Sequence, residues 1–137
     1  MKKLALLCLL TGFAACSDDS SSTSIDTNHL TGRKWYVDAY KYAGNTIPQP
    51  DDACSRDYLE FFTNGTVNFT EVYNCEDYTD YYTYDLDGNT ITRTAENGTV
   101  STGTIKQLTA SRLVIENNTD IDEDGTPEAV QTIYTTN

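Results

Sequence analysis

From Leu30 to the C-terminus, apolar and polar residues alternate with a period of two, and Gly, Asn, Asp or Ser interrupts the pattern at short intervals. Such alternation is what a strand with one buried face requires, because successive side chains point to opposite sides. WYVDAYKY, YLEFFT, TVNFTEVY, YYTYDL, NTITRT, TVSTGTIKQL, RLVIE and AVQTIYTT are rich in Tyr, Thr, Val, Ile and Phe, which suit a pleated surface, and predict about eight strands. Asn64-Gly65, Asp87-Gly88 and Asn97-Gly98 lie between these runs, where positive φ at the turn residues suits a tight hairpin. LTASRL around Ala110 marks a further reversal. Successive hairpins place sequence neighbours side by side, so the expected fold is all-β, an antiparallel up-and-down meander.

Strands in that number either close into a barrel, which removes the exposed edges, or split into a β-sandwich. Tight sequential hairpins favour the barrel. An immunoglobulin-like sandwich has Greek-key crossovers and a Cys, Trp, Cys order, whereas here Trp35 precedes both Cys54 and Cys75. The residues expected to face inward are Trp35, Val37, Leu59, Phe61, Val67, Phe69, Ile91, Ile105, Leu113, Ile115 and Ile133. In a domain this small such residues fill the barrel more readily than they line a pocket.

The first residues follow a different pattern. Lys2 and Lys3 precede an apolar run from Leu4 to Ala15 that ends in small residues before Cys16, the layout of a secretory signal. The run is shorter than the roughly 20 residues of a spanning helix. Phe13-Ala14-Ala15-Cys16 resembles a bacterial lipobox, which implies that Cys16 becomes the lipidated first residue of the mature chain. Several acyl chains give stable anchoring at about 0.8 kcal/mol per buried CH₂. Ser17-Asp18-Asp19 resembles the acidic signal that sends Bacteroidota lipoproteins to the outer face of the outer membrane; the periplasmic face is the alternative. Residues 1–15 are thus expected to be a signal peptide, 16–29 a lipidated Cys with a polar tether, and 30–137 the folded domain.

Charge and cysteine content narrow the chemistry. Nine Lys+Arg against 21 Asp+Glu give a net charge of −12, which argues against nucleic acid, since phosphate contacts need a basic face. The membrane contact is therefore expected through lipid alone, and the domain as a monomer. Of four Cys, Cys8 lies in the signal and Cys16 at its border, leaving Cys54 and Cys75 for a disulfide in an oxidising compartment. The single His, His29, lies in the polar tether, so no Ser-His-Asp set or multi-His metal site is available. No residue is assigned a catalytic role, and no cofactor beyond a candidate Ca²⁺ is expected.

Leu30-Thr31-Gly32 with Trp35, Cys54 before Tyr58-Leu59-Glu60-Phe61, the turn Asn64-Gly65-Thr66, then Cys75, Ile105, Leu108-Thr109 and Leu113-Val114-Ile115 together resemble the lipocalin-like domain of small Bacteroidota lipoproteins. The resemblance runs from Leu30 to Thr136 and rests on order and spacing. Lipocalins usually open with Gly-x-Trp, whereas this chain has Gly32-Arg33-Lys34-Trp35. Their barrel is usually closed by an Arg of the last strand stacked on that Trp, and AVQTIYTT has none. The resemblance implies a small antiparallel barrel, a non-catalytic binder of a small apolar or amphipathic ligand.

Two further segments carry candidate chemistry. Asp77 to Asp85 is dense in Tyr, and on a strand Tyr78, Tyr82 and Tyr84 share one face while Tyr81 takes the other. Tyr78, Tyr82 and Tyr84, with Trp35, Phe61 and Phe69, form the candidate ligand-binding set. Aromatic platforms beside carboxylates also suit sugars or cations, so the alternative reading is a surface interaction or carbohydrate-binding module with a filled core. In Asn118–Glu128, Asp120, Asp122 and Asp124 alternate before Gly125, which lets a sharp turn aim three carboxylates and the Thr126 carbonyl at one hard cation. The segment resembles the calcium loops of EF-hands and thrombospondin type 3 repeats. Gln131 stands where an EF-hand has its bidentate Glu, with Glu128 as the substitute ligand; a solvated acidic hairpin loop is the alternative.

Overall fold

A computed structural model describes residues 25–50 and 54–137. The expected signal peptide, the candidate lipidation residue Cys16 and the expected acidic export signal all lie outside the described residues. Nine strands run β1 Lys34–Tyr42, β2 Asn45–Pro48, β3 Tyr58–Phe61, β4 Thr66–Tyr73, β5 Glu76–Asp87, β6 Thr90–Ala95, β7 Val100–Leu108, β8 Arg112–Thr119 and β9 Glu128–Thr135. Every pairing between these strands is antiparallel, and β9 returns to β1 to close a barrel of eight strands. The ninth, β2, is appended to the end of β1 through Ala39↔Pro48 to Tyr42↔Asn45, beyond the stretch of β1 that pairs with β3. The hydrophobic pattern does not announce β2, because its one large apolar residue, Ile47, is exposed.

Turn chemistry differs from the expectation in a definite way. At Asn64-Gly65 and Asn97-Gly98 the positive φ falls on the Gly alone. The amides of Gly65 and Gly98 donate to the carbonyls of Phe62 and Ala95, as in a type I turn followed by a left-handed Gly. The Asn side chains accept the amides of Thr66 and Thr99 instead. Positive φ at both central residues occurs at Ala43-Gly44 and Asn74-Cys75, pairs whose composition gives little warning of it. Cys75 holds φ 63°, a conformation disfavoured for a residue with a Cβ, and is bonded to Cys54. The disulfide fixes the β4–β5 hairpin tip to the chain entering β3.

The packed core lies toward one end of the barrel, with Tyr84, Leu86 and Leu108 half-buried against it. Leu30, Trp35, Val37, Leu59, Phe61, Val67, Ile91, Ile105, Leu113, Ile115 and Tyr134 form its buried cluster. A short 3-10 turn, Thr27–His29, is capped by the Asp26 carboxylate accepting the Asn28 amide, and Ile25 packs on the cluster. Trp35 donates its indole N–H to the Leu30 carbonyl over 2.9 Å. The role expected of a last-strand Arg falls to Arg33, whose guanidinium lies 5.8 Å from the Trp35 ring centre and donates to the Ala110 carbonyl. The longer Gly32-Arg33-Lys34-Trp35 spacing thus supplies its own seal.

Ile133 is a correction. The register pairs Leu113 with Tyr134 and Val114 with Ile133, so Tyr134 faces the core and Ile133 faces out. There it joins Ala39 and Val114 in a small outer cluster. Thr132-Ile133-Tyr134 offers an apolar residue to either face, and a one-residue shift in pairing exchanges the faces. Asp38, unpaired at a bulge between Val37↔Tyr134 and Ala39↔Ile133, fixes which way β1 turns.

Reducing the Cys54–Cys75 bond releases a loop of about 20 residues, worth roughly 3 kcal/mol in the chain-entropy account. Thermal unfolding followed by circular dichroism is expected to show a melting temperature several degrees lower with reductant, and a Cys54→Ser/Cys75→Ser chain should match it. No change on reduction would show the bridge to be dispensable.

Candidate functional site

Strand direction sorts the loops into two groups. The Ala43-Gly44, Asn74-Cys75 and Asn97-Gly98 turns and the loop between β8 and β9 ring the end opposite the Trp35 seal. Inner positions change character toward that mouth. At the sealed end Trp35, Leu59, Phe61, Val67 and Leu113 have no exposed surface, whereas Tyr40, Phe69, Tyr82, Arg93, Asn117, Val130 and Thr132 are only half-buried. Their register places them on the inner face: Tyr40 opposes Thr132, Asn117 opposes Val130, and Arg93 follows Ile91 by two residues. Gly103 makes room for this belt. A Cβ there would collide with the Asn117 side-chain oxygen and come within 2.8 Å of Ile115 Cγ2.

The candidate ligand-binding residues divide along the same axis. Trp35 and Phe61 belong to the packed floor. Tyr84 bridges floor and wall, its ring edge-on to Phe61 at 5.2 Å and its hydroxyl donating to the Phe62 carbonyl; burial raises its phenol above the ordinary value. Phe69 and Tyr82 line the wall above, on the inner face. Tyr78 shares their parity but lies at the rim, 54% exposed, with its hydroxyl donating to Glu76. The half of β5 from Glu76 to Tyr81 pairs with β4 and has no partner in β6.

Tyr134, on the inner face of β9, shows how dry the interior becomes. Burial pushes its phenol up to about 12, with the Arg93 guanidinium pulling the other way. The sequence-based reading passed over Arg93, Asn117 and Tyr134. Alternation of Thr90-Ile91-Thr92-Arg93 already placed Arg93 on the face of Ile91, a signal available from the sequence.

The acidic loop lies at the mouth. One carboxylate oxygen from each of Asp120, Asp122, Asp124 and Glu128 falls within 4.8 Å of the others. Backbone amides hold the cluster: Gly125 donates to Asp120, Thr126 to Asp124, Asp124 to Asp122 and Ile121 to Glu128. Glu123 and Gly125 take positive φ to make this turn. The Thr126 carbonyl is not among these contacts.

On the outer wall a groove of about 500 Å³ is lined by Phe62, Asn68, Tyr81, Thr83, Thr94 and Glu96, among others.

The profile of a lipocalin-like domain matches residues 17–115. The chain belongs to the lipocalin-like domain family. Among solved structures, the lipocalin-like domain is similar to a lipocalin-like protein from Bacteroides uniformis at 19% identity and TM-score 0.60. The similarity covers 80% of this chain and 99% of that one. An uncharacterized protein from Bacteroides eggerthii aligns at 12% identity and TM-score 0.59, covering 79% and 99%. At such identity the likeness is one of fold. No curated protein sequence matches the chain.

Proposed function

We propose that this lipocalin-like domain is a non-catalytic binder of a small apolar or amphipathic ligand, taken into the upper half of the barrel. The lipocalin-like fold suggests a small-ligand binder. The observation that carries the reading is the change along the inner face from residues sealed from water to the half-buried Tyr40, Phe69, Tyr82 and Val130. Apolar surface that water already reaches is what a ligand gains by covering. The exposed Tyr81 and its outer groove favour a second reading, a carbohydrate-binding surface over a filled core. N-phenyl-1-naphthylamine, a neutral apolar fluorophore, is expected to bind saturably. Phe69→Asp should weaken binding by roughly tenfold or more, because a carboxylate must be desolvated, while Tyr81→Ser should not. The reverse pattern, or binding of oligosaccharide in place of the fluorophore, would move the site to the outer groove.

The same proposal holds the domain at the outer membrane, monomeric, through lipid on Cys16. Support comes from Lys2 and Lys3, the apolar run and Phe13-Ala14-Ala15-Cys16. No helix among the described residues is long and apolar enough to cross a membrane. Labelled palmitate is expected to enter the wild-type chain and not Cys16→Ser, which should leave the outer-membrane fraction. A Cys16→Ser chain that stays membrane-bound would remove the anchor from the account.

The mouth loop is read as a calcium site, on the convergence of Asp120, Asp122, Asp124 and Glu128. At such spacing each pair of anions repels by about 1 kcal/mol even in the dielectric of water, and a hard cation reverses the sign. Calcium at a hundred times its Kd would add about 2.7 kcal/mol, so the melting temperature should rise and Asp122→Asn should reduce the rise. Magnesium at equal ionic strength should do less, because it keeps its waters. Equal shifts with both ions would leave general screening as the explanation.

A further inference from the structure

Closing the barrel does not cover every strand edge. β2 has no partner on its far side, but it is four residues long and ends in Pro48, which blunts an edge against further pairing. β5 offers a different edge. The β4–β5 hairpin rises past the β6–β7 turn, so Glu76 to Asp80 pair with β4 and, among the described residues, with no strand on their other side. No Pro, Lys or bulge interrupts this stretch, which at strand spacing is about 17 Å long.

Hydrogen bonding alternates along an antiparallel pair, so the backbone groups left over can be named. Tyr73 and Glu76 close the two-residue Asn74-Cys75 turn, which directs the amides and carbonyls of Glu76, Tyr78 and Asp80 to β4. Tyr84, of the same parity, likewise donates to Gly65 just before β4. The amides and carbonyls of Asp77 and Thr79 therefore face the open side. Side chains give this edge a sign: Glu76, Asp77 and Asp80 are exposed and have no basic partner among the described residues. Tyr78 and Tyr81 are exposed on opposite faces, and Glu96 lines the outer groove with Tyr81 at the lower end. The Cys54–Cys75 bond and the Asp57 carboxylate, which accepts the Val72 amide, hold the hairpin extended, a preorganisation that lowers the cost of using its edge.

A second copy of this chain is a poor occupant, because pairing edge to edge sets Glu76, Asp77 and Asp80 against their own copies. The same carboxylates favour a segment of opposite charge. We propose that the free edge of β5 at Asp77 and Thr79 docks an extended, arginine-rich segment of another protein, which adds a strand to the sheet above the β6–β7 turn. The segment's backbone takes the open N–H and C=O groups. Its guanidinium groups meet the three carboxylates and the ring faces of Tyr78 and Tyr81, which an ammonium fits less well. This edge lies outside the barrel interior and acts independently of any ligand there.

The probe is the blocked peptide acetyl-Arg-Thr-Arg-Val-Arg-Thr-amide, with the peptide carrying Glu in place of Arg as its counterpart. Hydrogen exchange of the purified chain, read by nuclear magnetic resonance, is expected to be fast at the Asp77 and Thr79 amides and slow at Tyr78 and Asp80. Saturating Arg peptide should slow the first two by roughly tenfold or more. Thr79→Pro removes one edge N–H and leaves the β4 ladder whole, so it should weaken binding by roughly fivefold, the scale of one hydrogen bond. Asp77→Asn combined with Asp80→Asn should weaken binding and flatten its dependence on salt. Far-ultraviolet circular dichroism checks that both variants fold; if Thr79→Pro does not, exchange in the unaltered chain decides. Slow exchange at Asp77 and Thr79 without peptide would show the edge already covered and overturn the proposal. So would absence of binding, equal binding of the Glu peptide, or undiminished binding by folded Thr79→Pro. Binding that leaves the two amides unprotected also overturns it, and marks charge attraction or a contact confined to the outer groove.

Discussion

The first and last strands of the barrel hydrogen-bond to each other across nearly the whole domain. Tyr36 to Tyr42 pair with Val130 to Thr135, interrupted by a bulge at Asp38. Without that ladder the meander is an open sheet with two long edges and no inside. With it, every strand has one face turned toward a shared interior, and the alternation along each strand becomes a division between inside and outside. The bulge matters as much as the pairing. It lets Val37 face inward below and Tyr40 face inward above, while Ala39 turns outward onto Ile133 and Val114.

Closure alone does not make a binding cavity, because a small barrel can be filled by its own side chains. Here the filling is uneven. Trp35, Leu59, Phe61, Val67, Ile91, Ile105, Leu113 and Ile115 occupy the sealed end, and burial of these large apolar groups supplies the hydrophobic stabilisation of the domain. Arg33, Leu30 and the Thr27–His29 turn cover that end from below. Toward the mouth the inner positions mix the apolar Phe69 and Val130 with Tyr, Thr, Asn and Arg, which tolerate water. Gly103 removes a side chain where Asn117 needs the space. The packed core and the half-buried inner wall thus lie toward opposite ends of one tube, so the mouth end carries polar groups without unsealing the core.

The rim carries much of the chain's negative charge and its least conventional backbone. Asn74-Cys75 adopts a doubly left-handed turn that the Cys54–Cys75 bond holds in place. Opposite it, the loop between β8 and β9 gathers four carboxylates around its own amides. Each of these features spends conformational freedom on a loop rather than on the sheet, at the end where the inner wall is exposed. A negative mouth above Arg93 on the inner wall also orders the electrostatic potential along the barrel axis.

The period-two pattern, the turn residues and the order of the elements made the antiparallel barrel legible in the sequence, because alternation encodes which residues share a face and short turns encode which strands are neighbours. The pairing of Cys54 with Cys75 was legible for a different reason: the other two Cys, Cys8 and Cys16, lie in or beside the N-terminal apolar run, apart from the strand-forming part of the chain. What the sequence did not determine was which face is which in β9, where Thr132-Ile133-Tyr134 permits either register, nor the strand Asn45–Pro48, which has no apolar face of its own. Arg33 as the seal was equally hidden, since a loop residue reaches Ala110 only once the barrel brings the two ends together. Trp35, Phe61, Phe69, Tyr82 and Tyr84 were marked by residue type as interior, but their division into floor and wall depends on depth along the barrel, and Tyr78 lies beyond that wall at the rim. Local pattern carries facing and adjacency; depth, closure and the company kept by Arg93 are set by contacts between strands far apart in the chain, and only the tertiary structure decides those.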